Sequence, residues 1–348
     1  MIQTDVAVIG AGPAGLYATY YAGFRGFKVV VIDALAEIGG QITAMYPEKE
    51  IFDIAGFASV KGRDLIDGLT EQANSAKPIF KMSTQVSNLV QVAEGIHLTL
   101  DSGEEIFAKV VIIAGGIGAF TPRALPTGME WLGKGLVHFV PSLAEHAGKR
   151  IVIAGGGDSA FDWAYSLKPI AKSVTLIHRR NEFRGANESV SSVQKLKDSG
   201  KIEVITPAQI TNLSGINRLE SVTLSQDGND KTIKTDYFIP LFGLVPKLGP
   251  IKDWGLDIEN NGIKVNNSLD YQTNIDGIYA IGDVNTYPGK LKLILCGFHE
   301  ATLMCQSAYK IINPGKKYVL KYTTVSGIDG FDGSRKEAPK AVVQAINE

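Results

Sequence analysis

The chain has 348 residues, of which 45% are hydrophobic and 20% charged, and its formal net charge is −1. These proportions are typical of a packed globular protein rather than a disordered one, and the length predicts about two domains. The near-zero charge argues against nucleic acid as a partner. The chain has only two cysteines, Cys296 and Cys305, and their number and spacing exclude a disulfide framework and a C-x-x-C pair.

The longest apolar runs, such as residues 110–120, are shorter than the roughly 20 residues of a membrane span, so no membrane partner is expected. The first residues lead directly into a strand pattern without a basic segment and an apolar signal core. A cytoplasmic location is therefore expected.

A strand–turn–helix–strand unit occupies the first 33 residues. Residues 5–9 predict a buried strand, residues 16–24 a helix, and residues 28–32 a second buried strand that ends at Asp33. The turn between the first strand and the helix matches G-x-G-x-x-G through Gly10, Gly12, Ala14 and Gly15. This order of elements predicts a dinucleotide-binding unit.

Each residue type in this unit has a physical role. Gly10 permits the tight turn, Gly12 lets a pyrophosphate approach the backbone, and Gly15 lets the helix pack close to the strand. The helix N-terminus presents free N–H groups and a partial positive charge to the phosphates. Asp33 is expected to accept hydrogen bonds from the adenosine ribose.

A second unit of the same kind begins at residue 150. Residues 150–154 and 173–177 predict strands, residues 161–167 predict a helix, and Gly155 and Gly157 lie in a G-x-G-x-x-A turn. The second strand ends not in an acid but in a basic group, with Arg179 and Arg180 next to His178 and with Arg184 four residues further on.

Arginines at this position favour a nucleotide with a 2′-phosphate, because a guanidinium binds phosphate bidentately. The second nucleotide is therefore expected to be NADPH, although the same arginines also fit an ordinary exposed loop. Two dinucleotide units in one chain favour FAD with NADPH, and hydride passing between nicotinamide and flavin.

The segment 273–283 ends in Y-A-I-G-D and precedes a helical pattern at about 297–312. This pattern resembles the pyridine-nucleotide-disulfide oxidoreductase superfamily, in which its aspartate contacts the ribityl side of FAD. The resemblance assigns that role to Asp283.

The same resemblance implies an α/β fold with two Rossmann-like three-layer domains, similar to the thioredoxin-reductase branch. It places a discontinuous FAD domain at 1–117 plus 276–312 and an NADPH domain at 118–275. A tail at 313–348 is expected to cover the flavin or the partner site.

Segments 39–57, 155–164 and 178–180 resemble the thioredoxin-reductase-like ferredoxin–NADP⁺ reductases, and the likeness extends over nearly the whole chain. It implies a homodimer with ferredoxin as partner. The resemblance implies further FAD contacts at Gln41, Tyr46, Val86, Phe120 and Thr324.

The same resemblance implies that the ring of Tyr46 stacks on the flavin and that the backbone of Val86 holds the adenine. Judged from the residues alone, an aromatic side chain beside Pro47 fits a packed loop equally well. Ser326 is an alternative to Thr324, and either Tyr322 or Phe331 is expected to cover the second flavin face.

A thioredoxin reductase needs a C-x-x-C, and the segment 135–142, near where the family carries it, has no cysteine. Electrons must then pass from flavin to another acceptor, and an iron–sulfur partner fits. No catalytic side chain and no metal site are expected, because the flavin carries the chemistry, and the five histidines, including His138 and His178, are interpreted as packing or surface residues.

Other functions remain compatible with these motifs. One is an NADPH-dependent flavin reductase or oxidase that acts on a small disulfide, a quinone or oxygen, and another is a non-enzymatic flavin sensor. Residues 310–348 carry seven basic and four acidic residues, a net charge of +3 against −4 for the rest of the chain. This basic tail fits docking to an acidic ferredoxin, or simply a solvated terminus.

Overall fold

The computed structural model describes residues 1–118, 121–123, 125, 127–185, 187–245, 247–266, 269–317 and 319. The helices are α1 (Pro13–Phe24), α2 (Gln41–Met45), α3 (Gly62–Asn74), α4 (Asp158–Leu167), α5 (Asn187–Asp198) and α6 (Ile294–Ile312). In the described part of the chain, none of the helices has the length and apolarity needed to cross a membrane.

The strands of the N-terminal half are β1 (Ile2–Ile9), β2 (Val29–Ile32), β3 (Glu50–Ile51), β4 (Val60–Lys61), β5 (Ile79–Lys81), β6 (Val86–Val92), β7 (Gly95–Leu100), β8 (Glu105–Ile113), β9 (Thr121–Pro122) and β10 (Arg150–Ala154). Those of the C-terminal half are β11 (Ser173–Ile177), β12 (Glu203–Ile205), β13 (Gln209–Gly215), β14 (Leu219–Gln226), β15 (Asn229–Lys234), β16 (Tyr237–Pro240), β17 (Leu244–Val245), β18 (Ile258–Glu259), β19 (Gly262–Lys264), β20 (Ile278–Ala280) and β21 (Asn285–Thr286).

The larger sheet has the order β5–β2–β1–β8–β7–β6, and β20 also pairs with β8. β8 is long enough to have two partners on one edge, because its first half pairs antiparallel with β7 and its second half pairs parallel with β20. Strands β5, β2, β1, β8 and β20 are therefore parallel, and their carboxyl ends lie at one edge. Ligands of open α/β sheets bind at this edge.

Continuous apolar runs form the centre of this sheet. All four residues of β2 are buried, as expected for a parallel strand covered on both faces. Helix α1 packs against α3 and α6, and it begins with Pro13 directly after Gly12, where the missing N–H of proline costs no helical hydrogen bond.

The second sheet has the order β12–β11–β10–β16 and is entirely parallel. Helix α4 packs on it through Phe161, Trp163 and Leu167. A separate antiparallel sheet, β13–β14–β15, contributes Leu213, Val222 and Leu224 to an adjoining core. The α/β class and both strand–turn–helix–strand units are thus confirmed.

Two antiparallel chain segments connect the two sheets. β9 pairs with β17, and the Lys247 N–H donates to the Ile117 carbonyl at 3.1 Å. Beyond this crossing, Leu248, Trp254 and Tyr271 are buried in the core of the larger sheet. These three residues belong to the segment 118–275 that the sequence assigns to the NADPH domain, so the point at which the chain returns to the first domain stays a prediction.

Candidate functional site

The first glycine turn combines two tightly packed positions with one open position. A Cβ on Gly10, whose φ is +112°, would lie 2.4 Å from the Ala114 carbonyl oxygen, and a Cβ on Gly15 would lie 1.9 Å from the Gly10 oxygen. A Cβ on Gly12 would have no heavy atom within 4 Å. Packing therefore requires Gly10 and Gly15, whereas Gly12 leaves an open cradle before the N-terminus of α1.

Asp33 lies at the end of β2, beside this cradle. Its carboxylate accepts hydrogen bonds from the Ala11 N–H at 2.6 Å and the Leu35 N–H at 2.8 Å. Burial raises the pKa of Asp33, and these two donors partly oppose that effect. A carboxylate offers about four acceptor positions, so two remain for a ligand.

Two further segments border the cradle. The Gly39 N–H donates to the Ala11 carbonyl at 2.9 Å, and the ideal Cβ position of Gly116 lies 3.0 Å from Gln41 Nε2. Gln41 at the start of α2 thus lies between the glycine turn and the loop that follows β8.

The segment that carries Asp283 lies on the other side of the turn. Asp283 is in a 3₁₀ helix, Gly282–Val284, directly after β20. Ala14 Cβ lies 3.2 Å from the ideal Cβ position of Gly282 and 3.0 Å from that of Gly297 in α6. The start of α1, the Gly282 turn and α6 therefore meet without space for larger side chains.

Tyr46 directly follows α2 and faces both sheets. Its half-buried side chain packs against the core around Ile42 and Leu65 and also against the core of the second sheet. Burial, with a smaller contribution from the charges of Asp283 and Asp53, raises the pKa of Tyr46 to about 12. Tyr46 is thus a neutral phenol close to Asp283.

Val86 begins β6 and is buried, with 3% of its surface exposed. Two residues earlier, the Thr84 N–H donates to the Asp33 carbonyl at 2.9 Å. The backbone before Val86 therefore runs past the end of β2, on the same edge of the sheet as Asp33.

The second glycine turn repeats the pattern of the first. A Cβ on Gly155 would lie 2.8 Å from both Ala160 Cβ and the Leu241 oxygen, whereas a Cβ on Gly157 would have no heavy atom within 4 Å. Gly157 directly precedes α4. An open glycine thus lies at the N-terminus of α1, where it leaves the first cradle, and at the N-terminus of α4, where it leaves a second cradle.

The loop after β11 folds back on this turn. The Arg184 N–H donates to the Gly156 carbonyl at 2.7 Å, and the ring of His178 packs where a Cβ of Gly156 would lie. Arg179, Arg180 and Arg184 are exposed. Burial lowers the pKa of His178, the hydrogen bond between its ring and the Glu182 carbonyl opposes that shift, and the charges of the three arginines add to it.

A cavity of about 930 Å³ opens in front of the second glycine turn. Its described lining includes five cationic side chains and one carboxylate, namely Lys49, Arg123, Arg179, Arg180, Arg184 and Asp158. Met45 and Tyr46 contribute to the same lining from the side of the larger sheet. The cavity therefore joins a basic nucleotide-sized pocket to the region of Tyr46.

The comparisons with known proteins agree with this geometry. Residues 4–301 match the model of the family described as pyridine nucleotide-disulphide oxidoreductase. The chain belongs to this family.

Among its relatives, the "Ferredoxin--NADP reductase" of Flavobacterium johnsoniae is 58% identical over 349 residues, covering 99% of this chain and 100% of the relative. The protein of the same name from Flavobacterium psychrophilum is 55% identical, with the same coverage. The crystal structure of T. acidophilum thioredoxin reductase superposes with a TM-score of 0.76 at 27% identity, covering 89% of this chain and 99% of that one. The resemblance inferred from the motifs is confirmed.

In this member of the pyridine nucleotide-disulphide oxidoreductase family, a short segment after α2 connects the two sheets. Lys49 forms an ion pair with Asp162 of α4, and Glu48 accepts a hydrogen bond from the Leu143 N–H at 2.8 Å. Sequence motifs do not indicate these contacts, because residues 49 and 162 meet only in the folded chain.

His138 also lines the cavity, although the sequence alone favours its interpretation as a packing or surface residue. It is half-buried, lines the cavity together with Tyr46, and has a pKa lowered by burial. Its position in the segment 135–142, near where thioredoxin reductases carry their C-x-x-C, is the one sequence signal that could have identified it.

The structure brings most of the predicted site residues together at the two strand edges. The first cradle is surrounded by Gly10, Gly12, Ala14, Gly15, Asp33, Gln41 and Asp283. The second cradle is surrounded by Gly155, Gly157, Arg179, Arg180 and Arg184. Phe120, Thr324, Ser326, Tyr322 and Phe331 lie outside the described residues.

Proposed function

We propose that this protein is a ferredoxin–NADP⁺ reductase that transfers electrons between NADP(H) and ferredoxin through FAD. The observation that carries the proposal is the pairing of two open glycine cradles in one chain, one beside an aspartate and the other beside three arginines. The names of relatives at 55% and 58% identity support ferredoxin as the electron partner.

FAD fits the first cradle. Gly12 leaves room for a pyrophosphate at the N-terminus of α1, and Asp33 retains acceptor positions for a ribose. Gln41, Tyr46 and Asp283 are proposed to contact the flavin side, and the backbone of Val86 to hold the adenine. When bound, FAD exchanges hydride with a nicotinamide and single electrons with an iron–sulfur protein.

NADPH is proposed to occupy the second cradle and the cavity before it. The N-terminus of α4 would face its pyrophosphate, and Arg179, Arg180 and Arg184 would bind its 2′-phosphate. Because Tyr46 lines the same cavity, the chain can direct the nicotinamide end towards the flavin side.

The domain plan remains part of the proposal. We propose an FAD domain and an NADPH domain joined at the β9–β17 crossing, with a tail from residue 313 that covers the flavin or the partner site. We also propose a homodimer in the cytoplasm.

The two cysteines support an acceptor other than a protein dithiol. Both lie on α6, nine positions and therefore about 13 Å apart along the helix axis, too far for a disulfide. Cys305 is buried, which raises the pKa of its thiol to about 12 and keeps it unreactive.

Ferredoxin dependence tests the function directly. NADPH-driven reduction of cytochrome c is expected to be slow with the FAD-loaded protein alone and strongly stimulated by added ferredoxin. Protein stripped of FAD is the control and should show no stimulation. No stimulation of the loaded protein by ferredoxin would overturn the assignment, and rapid NADPH oxidation with a quinone or oxygen alone would favour the flavin reductase or oxidase.

Replacing Tyr46 by alanine is expected to weaken flavin retention and shift the visible spectrum, because the mutation removes an aromatic face from the proposed ring site. Tyr46→Phe keeps the ring and should stay close to wild type. Absorbance spectra and FAD dissociation constants measure both effects. An alanine variant with wild-type spectrum and affinity would place Tyr46 away from the flavin.

A further inference from the structure

A buried ion pair lies directly behind the turn that carries Asp283. Glu300 on α6 is 0% exposed, and the side chain of Lys290 is 6% exposed. Lys290 Nζ contacts Glu300 Oε1 at 2.5 Å. Charges so completely removed from water are costly unless each one is compensated, so this pair needs a physical explanation.

The other partners of Glu300 all come from one short segment. Oε2 accepts hydrogen bonds from the Gly282 N–H at 2.6 Å and from Asn285 Nδ2 at 2.9 Å, and Oε1 also accepts one from the Tyr287 hydroxyl at 2.8 Å. All four donors thus lie between residues 282 and 290. The Glu300 carboxylate therefore holds the segment 282–290 against α6 through these hydrogen bonds.

The segment 282–290 includes the turn next to the proposed flavin site. Gly282 has a φ of +73°, a conformation that favours glycine, and its N–H is fixed by Glu300. Asp283 follows directly, and Ala14 Cβ at the start of α1 lies 3.2 Å from the ideal Cβ position of Gly282. A movement of Glu300 would therefore move Asp283 relative to the first cradle.

Each of these four partners donates a hydrogen bond to the Glu300 carboxylate. Burial and the hydrogen bond to Glu300 raise the pKa of Tyr287, so this residue remains a protonated donor. Lys290 then supplies the one compensating full charge among these partners. Because the protein interior has low polarity, loss of either charge would change the electrostatic potential at a group bound beside the Gly282 turn.

We propose that Glu300 is a positioning residue for the flavin site and that Lys290 balances its charge, so that the pair together sets the reduction potential of the bound flavin. This inference rests on the proposed binding of FAD beside Asp283. Reduction adds negative charge to a flavin, so an uncompensated carboxylate nearby opposes reduction and an uncompensated ammonium favours it.

The charge test uses Lys290→Met, Glu300→Gln and the double variant, each loaded with FAD. The reduction potential should fall in Lys290→Met, rise in Glu300→Gln and return close to wild type in the double variant. Reductive titration against a dye of known potential measures the three shifts. Lys292→Met is the matched control, because it removes one exposed charge from the same loop and should leave the potential unchanged.

The positioning test compares Glu300→Ala with Glu300→Gln. The alanine variant loses the acceptor for the Gly282 N–H and should bind FAD at least about tenfold more weakly, whereas glutamine retains one acceptor oxygen and should restore most of the affinity. Circular dichroism melting of the FAD-free proteins reports whether the fold itself has changed.

Opposite potential shifts, with FAD still bound, support the pair as a charge-balancing element. Unchanged potentials in both single variants, or equal shifts in Lys290→Met and Lys292→Met, would overturn it while the proposed function stands. A wild-type chain that binds no FAD would overturn both proposals.

Discussion

Replacing Gly12 by alanine is expected to leave the protein folded and to abolish most of its flavin binding. Gly12 has a φ of −76°, which any residue adopts, and its ideal Cβ meets no heavy atom within 4 Å. The added methyl group would project into the space proposed for the pyrophosphate. Losing two charge-assisted contacts there corresponds to an FAD affinity at least about 100-fold lower.

The equivalent change at Gly157 should separate the two nucleotides. Gly157 has a φ of −113° and equally open surroundings. The Gly157→Ala variant should therefore keep its FAD, with a normal visible spectrum, while its KM for NADPH rises at least about tenfold. The two variants thus give opposite patterns of flavin content and NADPH dependence.

Alanine variants at two other glycines serve as controls for this experiment. Gly68 lies on α3 with no heavy atom within 4 Å of its ideal Cβ, and Gly68→Ala should bind both nucleotides normally. Gly15→Ala would place its Cβ 1.9 Å from the Gly10 oxygen and should fail to fold. Normal FAD affinity in Gly12→Ala, or flavin loss in Gly157→Ala, would show that the nucleotides are assigned to the wrong cradles.

The local elements of both units were predictable because their signals are local. β10 and β11 occupy the predicted residues 150–154 and 173–177, since a short apolar run between turn residues marks a buried parallel strand. The last helix begins at Ile294 rather than near residue 297, because its first turn, in which Ile294 and Cys296 are half-buried and Leu295 is exposed, adds little to the helical pattern.

Contacts between distant segments were not predictable from one sequence. The pairing of Glu300 with Lys290 depends on how the loop after β20 folds onto α6, and that of Lys49 with Asp162 on how the two sheets approach each other. The antiparallel unit β13–β15 carries no motif, so nothing in the sequence analysis indicated it. Motifs located the nucleotide cradles, whereas the residues that fix their geometry required the fold.

The other large effect is expected at the basic loop after β11. Changing Arg179 and Arg180 together to glutamine should raise the KM for NADPH about 100-fold, because each charge-assisted contact with the 2′-phosphate is worth at least about a factor of ten. NADH lacks that phosphate, so its KM should hardly change and the preference for NADPH should shrink. Arg184 is left intact, so that one proposed contact with the 2′-phosphate remains in the variant.

Steady-state kinetics with both nucleotides measure this change, and the double variant Lys195→Gln and Lys197→Gln is the control. Those lysines are exposed on α5 in the same part of the chain and lie outside the described cavity lining, so the control removes the same charge without removing a proposed contact. Added salt should raise the wild-type KM for NADPH more than that of the arginine variant, because screening weakens a contact that the variant no longer has. An unchanged nucleotide preference in the arginine variant would mean that these side chains belong to an ordinary solvated loop and that the 2′-phosphate, if recognised, is bound elsewhere.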